Sequence, residues 1–168
     1  MIERTWSNDY QPTLAEFKAH IRITITSVEM DASLALQLKA AIRSAEHYIG
    51  MVIARSAFVY TGTFAKTVIL PGPVIGIQEV TVAGVAVTPD HYKLKGNVLK
   101  LDVDADPDAV LVVKLTAGME HVDEDIKAAV LLHAAALFNN PVDSVETLPK
   151  ASSRLLDPYW TWQWRSTR

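Results

Sequence analysis

The chain contains no cysteine among its 168 residues. This absence excludes disulfide bonds, cysteine-ligated zinc sites, iron–sulfur clusters and thiol nucleophiles. Glycine is also scarce, with seven residues that fall mostly in turn-like contexts. None of the glycine motifs that cradle phosphates or carry a nucleophilic serine is present. The sequence therefore argues against nucleotide-binding loops and excludes thiol chemistry.

Long apolar runs and excess positive charge are missing as well. No segment approaches the ~18 uninterrupted apolar residues of a membrane span, and the first residues lack the pattern of a signal peptide. We therefore expect a soluble protein, made in the cytoplasm, with no membrane partner. The formal net charge of −3 argues against a protein whose main task is to grip nucleic-acid phosphates.

The apolar content is sufficient for a core. With 49% hydrophobic residues, a chain of this length can bury roughly 70% of its unfolded surface without a metal or a disulfide. We expect a single domain over residues 1–168.

Helical patterns occupy both ends of the chain. Thr13-Leu-Ala-Glu16 matches the capping box and predicts a short helix over about residues 13–20. A long second helix is predicted over about residues 31–54, because apolar residues recur there at helical spacing. A third helix is predicted to begin at Asp123-Glu-Asp125 and to end near Asn139-Asn140, since Pro141 cannot continue it. A short last segment follows.

The middle of the chain has a β pattern. Val, Ile and Thr dominate, and Gly or Pro interrupts the runs every several residues. The clearest turn is Lys95-Gly96-Asn97-Val98, because glycine followed by asparagine accepts the positive backbone angles of a tight hairpin. Candidate strands cover residues 67–70, 75–82, 85–87, 92–95, 98–101 and 110–116.

These patterns together predict an α+β fold. We expect a mainly helical core of two long helices plus short N- and C-terminal helices, with an inserted antiparallel β lobe. The helical part is predicted over about residues 13–55 and 123–164, and the β insertion over about residues 56–118.

Residues suited to metal binding or catalysis do not form a motif. No two histidines lie four residues apart, the spacing that places two imidazoles on one metal ion: His20, His47, His91, His121 and His133. The densest group of possible ligands surrounds His121, where acidic residues are expected at a helix start, so we interpret it as a helix entrance.

Alternating acids at residues 102–108 suggest a calcium loop. Pro107 and Val113 stand where that loop requires glycine and glutamate, so we interpret the segment as a solvated turn. We predict no catalytic residues, no metal, no cofactor and no enzyme activity.

Several stretches gain meaning from their order along the chain. They are Thr13-Leu-Ala-Glu-Phe-Lys-Ala-His-Ile-Arg22, Met30-Asp31 with Ala40-Ala-Ile-Arg-Ser-Ala-Glu-His-Tyr-Ile49, Leu70-Pro-Gly-Pro-Val-Ile-Gly-Ile-Gln-Glu-Val-Thr-Val82, Val112-Val-Lys-Leu-Thr-Ala-Gly118, Asp125-Ile-Lys-Ala-Ala-Val-Leu-Leu-His-Ala-Ala-Ala-Leu-Phe138, and Leu148-Pro149 with Leu155-Leu-Asp-Pro-Tyr159. In this order they resemble the head-tail connector (adaptor) family of tailed bacteriophages. The chain differs from the family at Asn139-Asn140-Pro141 and in a tail that runs past Tyr159.

The resemblance implies a structural virion protein of the neck, made in the bacterial host cytoplasm. It implies a homo-oligomeric ring, twelve-membered in related phages, beneath the portal protein and above a tail-side neck or tail-completion protein. DNA is expected to pass through the ring without sequence-specific binding.

Aromatic residues cluster near the end of the chain. A ring needs two different faces on each subunit, and Trp and Tyr supply large buried areas in a partner's groove. We therefore expect a partner-binding segment that docks on the portal or on a neighbouring subunit, with the alternative that its tryptophans cap the subunit's own core. Its residues are Leu155, Leu156, Tyr159, Trp160, Trp162 and Trp164.

Two other functions stay open from sequence alone. One is a small non-phage adaptor or ligand-binding α+β domain whose β lobe recognises a peptide or a carbohydrate. The other is a hydrolase with a site assembled at long range, which requires a deep pocket lined by several of His20, His91, His121 and the nearby carboxylates.

Overall fold

A computed structural model describes residues 1–7, 10–24, 27–140 and 148–160. The chain divides into two compact units. The β-rich unit consists of Met1–Tyr10 and Ala54–Glu120, and the helical unit of Gln11–Ile53 and His121–Arg168. Among the described residues, no helix combines the length and apolar character needed to cross a bilayer.

The β-rich unit contains eight described strands and one 3₁₀-helix, Pro89–His91. The strands are β1 (Ile2–Trp6), β2 (Ser56–Thr63), β3 (Thr67–Ile69), β4 (Val74–Val82), β5 (Val85–Ala86), β6 (Tyr92–Lys95), β7 (Val98–Leu101) and β8 (Val110–Ala117). They form two antiparallel sheets, with the strand orders β1-β2-β8-β4-β5 and β3-β7-β6.

Strand β8 is the centre of the larger sheet. Leu111, Val113, Leu115 and Ala117 alternate with more exposed residues and are fully buried, the period-two pattern of a strand with one face in a core. Leu115 pairs with Phe58 of β2, which is also buried. This alternation fixes the register, because a slip of one residue would turn the buried set toward solvent.

The helical unit contains α1 (Leu14–His20), α2 (Val28–Ile49), α3 (Glu124–Asn139), α4 (Lys150–Leu156) and a 3₁₀-helix, Asp157–Tyr159. Helix α2 contacts α1, α3 and α4, and α3 contacts α1 and α4. The core of this unit is apolar. It includes Phe17, Leu34, Leu38, Ile42, Ile49, Ile126, Val130 and Leu156, all fully buried.

Local signals set the helix ends. The capping box at Thr13 is confirmed: the Glu16 amide donates to Thr13 Oγ1 over 3.2 Å, and the Thr13 amide donates to Glu16 Oε2 over 2.6 Å. The Thr13 amide is the largest cause that lowers the pKa of Glu16, and the Thr13 hydroxyl, which donates to Glu16 Oε2 over 2.8 Å, lowers it further. Helix α2 ends at Gly50, which adopts a left-handed conformation with φ of 73°.

The expectation of a mainly helical core built on two long helices is wrong. Helices hold 39% of the described residues, beside eight strands in two antiparallel sheets. Strands β1 and β2 were not predicted, and β1 extends the larger sheet from the beginning of the chain. Gly50 also ends α2 before the predicted residue 54. The third predicted helix, α3, is only 16 residues long.

Candidate interaction surfaces

The predicted partner-binding segment divides by burial. Leu156 is fully buried and belongs to the core of the helical unit. Leu155 and Tyr159 are half-buried, and the Trp160 side chain is 38% exposed. Trp162 and Trp164 lie outside the described residues. Among the described residues of the segment, the exposed aromatic side chain is therefore that of Trp160, the last of them.

A tyrosine hydroxyl of α2 ties this segment to the rest of the helical unit. The Tyr48 hydroxyl of α2 donates to Asp157 Oδ1 over 2.6 Å, and this bond is the main reason that the pKa of Tyr48 is raised. The pKa of Tyr159 is also raised, first by burial and then by a hydrogen bond to Asp123 at the start of α3. Trp160 thus follows a 3₁₀-helix that is tied to α2 through Asp157.

The outer face of α2 is a second exposed surface. Apart from Val28 and Met30 in its first turn, its exposed residues fall on one stripe about 100° wide at 3.6 residues per turn. Three of them, Ala32, Leu36 and Ala40, are apolar, and Leu36 is 70% exposed. The polar residues of the stripe lie mainly toward its ends. In order, the stripe contains Glu29, Ala32, Ser33, Leu36, Ala40, Arg43 and His47.

In the β-rich unit, Arg4 is held by its own neighbours. Its guanidinium lies 3.8 Å from the centroid of the Trp6 ring and 5.4 Å from that of Phe58, distances that fit cation–π contacts. Arg4 Nε donates to Ser56 Oγ over 2.9 Å, and Nη2 donates to the Ala54 carbonyl over 3.0 Å. These bonds connect β1 to the start of β2. Sequence reasoning missed this cluster, whose only sequence signal is the alternation of Arg4 and Trp6.

A pocket of about 240 Å³ lies beside this cluster. Its lining contains neither a histidine nor a carboxylate, so it does not supply an acid–base pair. The lining residues are Thr5, Trp6, Ser7, Arg55, Ser56, Ala57 and Thr116.

The candidate metal-ligating residues are dispersed. His20, His47, His91 and His121 are exposed, whereas His133 of α3 is 3% exposed and its Nδ1 has no hydrogen-bond partner among the described residues. Burial lowers the pKa of His133. In the part of the chain that the structure describes, no group of three or more His, Asp or Glu side chains could hold a metal ion.

No protein-family model and no curated protein matches the chain. Solved structures do match. A chain in the neck of an empty gene transfer agent (GTA) particle, computed with C6 symmetry, has a TM-score of 0.75 and 21% identity, over 96% of this chain and 95% of that chain. A chain of the native GTA virion has a TM-score of 0.74, and one in the native neck computed with C12 symmetry has 0.73, each with 20% identity and the same coverage. The chain therefore shares its fold with neck proteins of phage-like particles.

Proposed function

We propose that this chain is a structural neck protein of a phage-like particle, a head-tail connector (adaptor) subunit that forms a ring beneath the portal. The observation that carries the proposal is the likeness to GTA neck chains over 96% of this chain and 95% of those chains. Because the match covers nearly the full length of both chains, it supports the same structural role better than a shared core alone would.

The ring joins the head to the tail. Its role depends on the surface area buried between protein subunits and not on catalysis. Its partners are further copies of the chain, the portal protein and a tail-side neck or tail-completion protein. The C6 and C12 symmetry of the neck structures supports a ring, with twelve copies as the expected number. DNA passes through the lumen, and the net charge of −3 suits a conduit that must not hold it tightly.

Two surfaces of the helical unit are proposed to carry the contacts. The C-terminal aromatic segment, beginning at Tyr159 and Trp160, docks on the portal. The outer face of α2 contacts a neighbouring copy, because a closed ring requires a contact face distinct from the portal-binding one and Leu36 is 70% exposed.

Electron microscopy of the purified chain mixed with the portal of its own particle tests the proposed function. The expected result is an added ring of density on the tail side of the portal. A chain that leaves the portal unoccupied at micromolar concentrations of both proteins would overturn the proposal in favour of a non-phage adaptor.

A matched pair of substitutions tests the docking segment. Trp160→Ala should weaken portal binding and lower the melting temperature much less than Leu156→Ala, because Trp160 is 38% exposed whereas Leu156 is fully buried. Leu156→Ala is the control, since it opens a cavity in the core and should lower stability by about 2–5 kcal/mol. Truncation after Pro158 that lowers stability but keeps full portal binding would contradict docking and support self-capping.

A further inference from the structure

The outward face of the smaller sheet carries three lysines. Lys93 of β6 pairs directly with Lys100 of β7, and Lys95 pairs with Val98. Cross-strand partners project to the same side of a sheet, and so do residues two apart on one strand. Lys93, Lys95 and Lys100 therefore share one face, here called the lysine face, and all three are exposed.

The opposite face of this sheet is mostly buried, although Leu94 of the edge strand β6 is 37% exposed. Val68, Leu99 and Leu101 are 6%, 0% and 5% exposed. The sheet thus has one side in the core and one side in solvent, which holds the three lysine backbones in a fixed register. Within the strands, the other residues on this face are Thr67, Ile69 and Val98, which are neither acidic nor aromatic. The nearest carboxylate along the chain is Asp102, two residues after Lys100 and just beyond the end of β7.

Other lysines of the β-rich unit are neutralised. Lys66 Nζ lies 2.8 Å from Asp104 Oδ1, and Lys114 Nζ lies 2.7 Å from Glu79 Oε2. In contrast, none of the three face lysines forms an ion pair with a carboxylate of the described residues. Positive charge is therefore concentrated on one face of a chain whose net charge is −3.

The pairing of Lys93 with Lys100 lowers the stability of the smaller sheet. Like charges directly opposite each other on adjacent strands destabilise a sheet. An anionic partner that bridges the two ammonium groups would offset this repulsion. The face therefore fits a polyanion with closely repeated negative charges.

We propose that the lysine face contacts the phosphate backbone of duplex DNA without reading its sequence. Ammonium groups are point charges that attract phosphates, and the face presents no planar arginine fork for bidentate recognition of a base edge. Three charges per copy give weak, salt-sensitive contact, consistent with DNA that moves past the surface. The inference rests on the proposed function for the place where the chain meets DNA. The binding of DNA by the purified chain is expected independently of that function.

Fluorescence anisotropy with a labelled duplex of about 24 base pairs tests the inference. Each neutralised phosphate contributes about −0.9 to the slope of log K against log salt, so three lysines predict a slope of about −2.7 and an affinity loss of about 200-fold between ~20 and ~150 mM salt. The triple variant Lys93→Gln, Lys95→Gln, Lys100→Gln should lose this slope.

The matched control changes three exposed cations of the helical unit that lie outside both proposed contact surfaces: Arg22→Gln, Lys150→Gln and Arg154→Gln. It removes the same charge and should keep nearly the full slope. Equal losses in both triple variants, or no binding by the unaltered chain at about 20 mM salt, would overturn the inference. So would a lysine-face variant that keeps DNA binding but fails to self-assemble, since the face would then be a protein contact.

The portal experiment separates this inference from the proposed function. If the lysine-face variant still forms a ring on the portal and only its DNA binding is lost, both proposals are supported. If the unaltered chain binds DNA through the lysine face but forms no ring on the portal, the proposed function alone fails.

Discussion

Gly118, the residue after β8, shows how one missing side chain can determine a strand connection. Its φ of 133° lies where residues with a side chain are rarely found. A Cβ at this position would come within 2.6 Å of Arg55 Cα and 3.0 Å of the Ala54 carbonyl carbon. These are backbone atoms, so they cannot rotate away.

Replacing this glycine should therefore be costly. We expect Gly118→Ala to lower the free energy of unfolding by roughly 2 kcal/mol or more, through both strain and overlap. Gly76→Ala is the matched control, because no atom lies within 4 Å of the added Cβ, and it should change stability by less than about 0.5 kcal/mol. Urea denaturation followed by circular dichroism measures both, and equal effects would contradict the close-approach explanation.

His133 should make stability depend on pH. Burial lowers its pKa from 6.5, so the folded protein loses this proton at a pH where the unfolded chain still binds it. Well above pH 6.5 the imidazole is neutral in both the folded and the unfolded state, so His133 does not make the stability depend on pH there. As the pH falls below 6.5 the unfolded state binds more protons, and stability decreases until the pH passes the lowered value.

Substituting His133 isolates its contribution to the pH dependence of stability. His133→Leu should flatten the decrease in melting temperature as the pH falls below 6.5, whereas His121→Gln, at an exposed histidine, should leave that decrease unchanged. Parallel curves for the original chain and His133→Leu would show that another group causes the acid sensitivity.

At the scale of elements, the Tyr48–Asp157 bond predicts how firmly the C-terminal segment is attached. Tyr48→Phe removes a 2.6 Å hydrogen bond between α2 and the 3₁₀-helix. The bond is solvent-exposed, so its loss should cost about 1 kcal/mol or less. The amides of α4 should exchange with deuterium faster, while the melting temperature changes little.

Tyr60→Phe in β2 is the control for this experiment. It removes a hydroxyl from the other unit and should leave the exchange rates of α4 unchanged. If Tyr48→Phe also leaves them unchanged, burial of Leu156 alone holds the segment in place.

Elements with local signals could be predicted from the sequence. The capping box at Thr13 involves residues three apart, and the hairpin at Gly96-Asn97 is confirmed by the pairing of Lys95 with Val98. Gly96 alone supplies the positive φ, at 62°. In both places the chemistry that specifies the structure lies within four residues.

Strand β1 could not be predicted in the same way. Its partner lies far along the chain, since Ile2 pairs with Tyr60, and its short segment mixes charged and apolar residues. The segment proposed to dock on the portal shows the same limit. Composition identified the aromatic cluster, but only the packing of α4 shows that Leu156 is in the core and that Trp160 is exposed.

For the whole molecule, ring formation makes demands that a pair of subunits does not. A closed ring with rotational symmetry uses heterologous contacts, in which one face of each copy meets a different face of the next. A subunit damaged on one face can still join a neighbour through the other. The damaged copy then stops the addition of further subunits, because it lacks the contact face that the next subunit binds.

The outer face of α2 allows this to be tested. Leu36→Glu places a charge at a side chain that is 70% exposed, so folding should be preserved while contact with a neighbouring copy is lost. Mixed with the unaltered chain on the portal, it should lower the yield of complete rings far more steeply than its own mole fraction, because one such copy blocks closure. Val85→Glu, at a side chain 69% exposed in the β-rich unit, is the matched control and should be incorporated without loss. Native mass spectrometry of the portal complexes counts the copies. Closed rings that contain Leu36→Glu copies in proportion to the mixture would show that this helix face is not part of the subunit contact.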